Sequence, residues 1–131
     1  MRPKILAVDD SKAVRLIIQK ALAPFACEVI EATNGFKGLF AMESEMPALI
    51  LLDVSMPTMD GVEMLTLLKS HPELKKIPVI MLTSTSDHLV LPKITALGVN
   101  DQLRKPFTDA ALLEKVQAIL DLKPAPAGGG R

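Results

Sequence analysis

Short apolar runs of strand length alternate along this chain with stretches whose apolar residues recur at helical spacing. That alternation narrows the possible folds more than any other feature. "KILAV" at 4–8, "ALILL" at 48–52 and "VIML" at 79–82 have the length and apolarity of buried strands. After Ser11, the residues Val14, Ile17, Ile18, Ala21 and Leu22 recur at i, i+3, i+4, i+7 and i+8, one face of an amphipathic helix that Pro24 closes. "CEVIEA" at 27–32 alternates apolar residues with acids as a half-exposed strand does, and Asn34-Gly35 turns the chain into a second helix near Phe36 to Ser44. A loop with Pro57 and Gly61 leads to a third helix from about Val62 to Ser70. The polar stretch "STSDH" precedes a fourth helix that ends at Gly98. It is predicted to begin at about Leu91 with Pro92 in its first turn, or to be kinked there, because an interior proline loses a backbone donor and clashes with the preceding turn. "DQLRK" at 101–105 holds one apolar residue, Leu103, and pattern alone leaves it as loop. From the capping residue Thr108, a last helix puts Leu112, Leu113, Val116, Ile119 and Leu120 on one face.

Strands joined by helices of this length form βαβ units. The expected class is α/β, a doubly wound parallel sheet with helices on both faces and right-handed crossovers. A chain of 131 residues fits one domain. Residues 1–122 form the expected body, and "KPAPAGGGR" at 123–131, with little to bury, reads as a flexible tail, a linker or a cloning remnant. In such sheets ligands bind beyond the carboxyl ends of the strands, so the residues that end each apolar run are the place to look.

Those residues are Asp9 and Asp10, Asp53, Thr83 and Lys105. Neighbouring strands lie about 4.8 Å apart, which lets acids at the ends of the first and third strands share one small cation with oxygen ligands. Three carboxylates at close quarters repel, and one of them should have a raised pKa unless a cation is present; Mg²⁺ is the natural candidate. No Cys or His stands at the strand ends, which argues against zinc. A hydroxyl from Thr83 and an ammonium from Lys105 beside such a site suit phosphoryl oxygens, and Asp53 is then a candidate nucleophile.

Composition excludes other classes. Fifteen basic and fifteen acidic side chains balance, and four Phe are the only aromatics, so neither a charged footprint nor a stacking platform for nucleic acid is present. Cys27 is the only cysteine, and no apolar stretch approaches the roughly 18 residues of a membrane span. The first ten residues lack the pattern of a secretory signal, so a cytoplasmic protein that contacts neither nucleic acid nor membrane is expected.

"AVDDSKAVR", "LLDVSMPTMDG", "IPVIMLTS" and "LRKPF" resemble, in order and spacing, the motifs of response regulator receiver domains of the chemotaxis type, over residues 4 to about 122. The resemblance implies a flavodoxin-like, five-stranded sheet of order 2-1-3-4-5, an order known for chemotaxis receivers and carried over from them. It further implies that Asp53 accepts a phosphoryl group from a phosphohistidine on a histidine kinase or histidine phosphotransfer protein, and that the modified surface acts on a downstream protein. Asp10, Asp53 and the Ser55 carbonyl would bind Mg²⁺ directly and Asp9 through water, while Thr83 and Lys105 would contact the phosphoryl oxygens. Lys105-Pro106 would be cis. Gln102 stands where the family often has an aromatic residue, and Pro92 departs from the usual fourth helix.

Each residue also has a plainer role. Asp10 and Ser11 suit a helix start, Asp60 before Gly61 a turn and cap, Thr83 a strand-end hydroxyl, Lys105 a solvated charge, His71 and His88 solvated loop positions, and Cys27 and the methionines packing. Their conjunction at one sheet edge favours the phosphoacceptor. Three rivals share the architecture. An aspartyl-phosphate phosphohydrolase would carry a second Asp where Ser55 stands, and a flavin domain would need a phosphate loop where "DDSKAVR" puts acids. An interaction module that is never phosphorylated would have no use for the acid, Thr and Lys set.

Overall fold

The computed structural model describes residues 2–126. Five strands, β1 (Lys4–Val8), β2 (Glu28–Ala32), β3 (Leu49–Asp53), β4 (Val79–Thr83) and β5 (Asp101–Arg104), form one parallel sheet in the order β2-β1-β3-β4-β5. Five helices alternate with them: α1 (Lys12–Leu22), α2 (Gly35–Ala41), α3 (Gly61–Ser70), α4 (Leu91–Leu97) and α5 (Asp109–Gln117).

Strand β3 is central, and all five of its residues are buried because both its faces are covered. Leu6, Val8, Ile50, Leu52, Val79 and Met81 join the core on the side of α3 and α4, together with Met64, Leu65, Leu68 and Ile94. Ile5, Ala7, Leu49, Leu51, Ile80 and Leu82 face the other way, against Ile18, Leu22, Leu112 and Val116 of α1 and α5. Each fully buried leucine contributes about 2 kcal/mol by removal of apolar surface from water, which makes the middle of the sheet the most firmly held part of the molecule.

Helix starts follow capping chemistry. Ser11, Asn34 and Thr108 accept from the backbone N–H groups of Val14, Lys37 and Ala111. Asp60 and Glu63 form a reciprocal capping box at α3, so Asp60 is the cap that the sequence suggested. Pro92 lies in the first turn of α4, where its missing N–H has no intrahelical partner to lose. Gly98 closes that helix at φ 89°.

Pattern alone leaves "DQLR" as loop, but it forms β5, the fifth strand that the resemblance implies: it is an edge strand, so one inward residue, Leu103, and a ladder to β4 suffice to hold it. Three local expectations change, the first in α5, which ends at Gln117 so that Ile119 and Leu120 pack against the core from beyond the helix instead of from its face. Ile17 is 37% exposed, and α1 buries Ile18, Ala21 and Leu22 with Val14 half-buried beside them. Helix α2 stops at Ala41, and both Phe36 and Phe40 face solvent. His71 is exposed, as expected, but its Nδ1 accepts from the N–H groups of Glu73 and Leu74 and shapes the turn after α3.

The body also extends past Leu122. Ala26 N–H donates to the Lys123 carbonyl at 2.7 Å and Ala125 N–H to the Pro24 carbonyl at 2.8 Å, with Phe25 and Pro124 paired antiparallel. Residues 127–131 of the expected tail lie outside the described residues.

Gly61 links the fold to the strand end. Its N–H donates to the Val54 carbonyl at 2.8 Å, and a Cβ there would fall 1.9 Å from the Asp53 carbonyl oxygen. Only a residue without a side chain lets α3 begin this close to β3. Gly61→Ala is therefore expected to destabilise the protein by about 2–3 kcal/mol, measured by urea unfolding followed by circular dichroism. A loss under about 0.5 kcal/mol would mean that the approach relaxes without consequence.

Candidate functional site

Sheet register brings the site together. Val8 pairs with Leu52, so the next residues along the two strands, Asp9 and Asp53, come level at the carboxyl edge. Thr83 ends β4, pairs with Arg104, and accepts from the Lys105 N–H through its carbonyl at 2.7 Å. From just past β5, the Lys105 side chain extends past β4 toward β3, about two strand spacings or roughly 9.6 Å away, and there meets Asp53 and the Asp9 side chain that comes from β1, one strand further on. Its Nζ donates to Asp53 Oδ1 at 2.8 Å and lies 2.9 Å from Asp9 Oδ2. The Lys105-Pro106 peptide is cis, as expected.

Asp9 is fully buried, Asp53 is 4% exposed and Thr83 6%, whereas Asp10 is open to solvent. One carboxylate oxygen from each of Asp9, Asp10 and Asp53 lies within 4.8 Å of the others. Burial pushes the Asp53 carboxyl up to about 7, with the charges of Asp9 and Asp10 adding to the rise and the Lys105 ammonium opposing it. Burial draws the Lys105 pKa down, but the hydrogen bond to Asp53 and the close negative charges of Asp9 and Asp53 outweigh this and hold it above the usual lysine value. The raised carboxyl expected among the three acids is thus Asp53, with burial as its first cause and like-charge repulsion as a smaller one.

These residues fit a hard cation. All the donors are oxygens, and Asp9 Oδ2 is a buried oxygen whose ionic neighbour, Lys105, is not in hydrogen-bonding geometry with it. A small divalent ion would satisfy that oxygen and relieve the repulsion. Ser55 lies two residues beyond Asp53 in an exposed loop, and its Oγ donates to Asp87 Oδ1 at 3.3 Å.

Two contributors escape sequence reasoning. Asp87 is a buried acid whose Oδ2 accepts from both the N–H and the Oγ of Ser84, so it ties the loop after Thr83 to the loop after Asp53. The Ser84-x-x-Asp87 spacing is a capping-box signature and was the available signal. Arg15 donates to the Asp9 carbonyl, a contact no local pattern announces.

A family model for the response regulator receiver domain matches residues 5–117, which is most of the chain. The chain belongs to the response regulator receiver domain family. Its curated relatives include the protein PilG of Pseudomonas aeruginosa, 34% identical over 115 residues that make up 88% of this chain and 85% of PilG. A probable transcriptional regulator, ycf27 of Pyropia yezoensis, is 36% identical over 91% of this chain but only 48% of its own length, so this receiver spans about half of that longer relative. Among solved structures, the chemotaxis response regulator CheY4 of Vibrio cholerae superposes with a TM-score of 0.82 at 31% identity, covering 92% of this chain and all of that one. The receiver is a phosphoacceptor of two-component signalling, and nothing among these similarities favours a hydrolase, a flavin protein or an unphosphorylated module. Among the described residues, no helix is long and apolar enough to cross a membrane.

Proposed function

We propose that Asp53 is the residue of this receiver that takes the phosphoryl group, and that Asp9, Asp10 and Asp53, with the Ser55 carbonyl, hold Mg²⁺ for the transfer. The observation that carries this reading is the convergence of Asp9, Asp10, Asp53 and Lys105 at one sheet edge, with Asp53 at the end of the most deeply buried strand. When bound, Mg²⁺ supplies charge neutralisation between carboxylate and phosphoryl oxygens. The residues of the chain do the rest. An Asp53 carboxylate oxygen forms the new O–P bond as the P–N bond of a donor phosphohistidine breaks, and the departing imidazole keeps the electron pair and takes up a proton. The Lys105 ammonium and Thr83 hydroxyl meet the phosphoryl oxygens. Later attack of water on phosphorus would return inorganic phosphate and Asp53, so the chain would catalyse its own loading and unloading.

The donor is a histidine kinase or a histidine phosphotransfer protein, and the output is a protein contact that changes with the charge at Asp53. Residues 1–122 carry this activity, in a cytoplasmic setting where such donors reside. Acetyl phosphate with Mg²⁺ is expected to add one phosphoryl mass to the intact protein, and EDTA to prevent it. Equal labelling with and without EDTA would remove the metal from the reading, and no adduct under any condition would count against the acceptor itself.

A further inference from the structure

Asp10 is the acid in this site with the least support of its own. It is exposed, and among the described residues none of the hydrogen bonds engages its carboxylate. Its position therefore depends on the backbone that delivers it. That backbone is tightly held at Asp9, whose N–H donates to the Ala32 carbonyl at 3.0 Å and whose Oδ1 accepts from the Ser11 N–H at 2.9 Å. The third restraint comes from the far side of the sheet edge: Arg15 Nη1 donates to the Asp9 carbonyl oxygen at 2.7 Å.

That oxygen belongs to the rigid Asp9-Asp10 peptide plane, so fixing it fixes the direction in which Asp10 leaves. The guanidinium is itself clamped. Arg15 Nε donates to Glu31 Oε1 at 2.7 Å, and Gln19 Nε2 donates to Glu31 Oε2 at 2.9 Å. The Arg15 side chain is only 13% exposed, and the Glu31 carboxyl is held below its usual pKa, first by the bond from Gln19 and then by that from Arg15. A planar fork bonded at both ends loses little freedom on ordering, unlike a surface lysine.

We propose that Arg15, clamped by Glu31 and Gln19, is a positioning residue that orients the Asp9-Asp10 peptide and thereby the acid pair toward a divalent cation. The proposal rests on the metal-binding reading above, and its sign separates it from simple electrostatics. Arg15 is a positive charge near a cation site. By Coulomb's law alone, removing it should tighten cation binding, and removing Glu31 should weaken it. Orientation requires both losses to weaken binding, because either one releases the same peptide.

The test is a calorimetric titration of Mg²⁺ alone into the full chain, which has no Trp or Tyr to report binding by fluorescence. Arg15→Met and Glu31→Ala are each expected to weaken Mg²⁺ binding about tenfold, the lower end of the loss seen on removing outer partners of metal ligands. The double variant should be no weaker than either single one. Tighter or unchanged binding by Arg15→Met, or opposite single effects that cancel in the double variant, overturns the proposal. Native-state hydrogen exchange on the metal-free protein supplies an arm independent of Mg²⁺. In Arg15→Met the Ser11 amide should exchange faster while the Ile80 amide, in the middle of β4, keeps its rate. Uniform acceleration would make Arg15 a fold stabiliser only and sink the idea. If the wild-type protein fails to bind Mg²⁺, the metal reading falls, and the exchange arm still decides whether Arg15 orders this turn.

Discussion

Asp53→Asn is expected to abolish phosphoryl uptake and, in the metal-free protein, to raise stability at neutral pH. Loss of the attacking oxygen should reduce labelling by acetyl phosphate more than about a hundredfold. The stability gain follows from the Asp53 carboxyl being raised to about 7 by burial, far above its value in an unfolded chain. An acid with a raised folded-state pKa binds more protons folded than unfolded between roughly pH 4 and pH 7. Stability therefore falls as pH rises through that window and stays low above it. Asparagine has no such charge to bury and can still accept from Lys105. The difference at pH 8 is expected to reach about 2–4 kcal/mol, or roughly 7–15 °C in Tm. Thermal unfolding of both proteins in EDTA at pH 5 and pH 8 tests this: the wild type should lose stability between the two and the variant should not. Parallel curves for the two proteins would show that Asp53 is not the strained carboxylate. Added Mg²⁺ should close the gap at pH 8 by stabilising the wild type alone.

The second large effect is expected at Lys105. Its ammonium is the cation beside Asp9 and Asp53, and removing one partner of a buried ion pair leaves charge uncompensated. The raised pKa of Lys105 means that its contribution is fully present below the ordinary lysine value and is lost only at higher pH, so it is intact at pH 8. Lys105→Ala should therefore cost about 2–4 kcal/mol at pH 8 without metal and less at pH 5, where Asp53 takes a proton instead. With Lys105 gone the carboxylates should bind Mg²⁺ more tightly, because a competing cation has left. Phosphoryl uptake should nonetheless fall about a hundredfold, since the ammonium that meets the developing charge is missing. Tighter metal with slower transfer is a combination that a merely misfolded variant does not give. Wild-type uptake by Lys105→Ala would refute the assigned role.

What could be read from the sequence was whatever lies within one element. The all-buried strand ending in Asp53 is visible as "ALILLD", and the caps at Ser11, Asp60 and Thr108 follow from side-chain type, while Asn34 reads as a turn residue and proves also to be the cap of α2. Strand β5 was invisible to pattern because an edge strand here needs only Leu103 turned inward. Asp87 reads as loop polarity, although its spacing from Ser84 carries a capping signal. Arg15 and Glu31 were not recoverable at all, since their bond spans sixteen residues and becomes a neighbour relation only once β2 lies beside β1. The exposure of Ile17, Phe36 and Phe40 was hidden for a related reason: periodicity marks a stripe, but the neighbours decide how wide a stripe is covered.

Lys105 joins two parts of the sheet that differ in how firmly they are held. At one end of its side chain is Asp53, anchored in a strand whose every residue is packed on both sides; at the other is the backbone just past a four-residue edge strand with a single buried side chain. A change of charge at Asp53 that alters the pull on that ammonium is expected to be taken up at the softer anchor rather than the stiffer one. Any displacement is then expected at β5 and the turn into α5, on the rim of the sheet. On this expectation the core serves as the fulcrum and the rim as the moving arm, with Gln102 rather than an aromatic ring on β5.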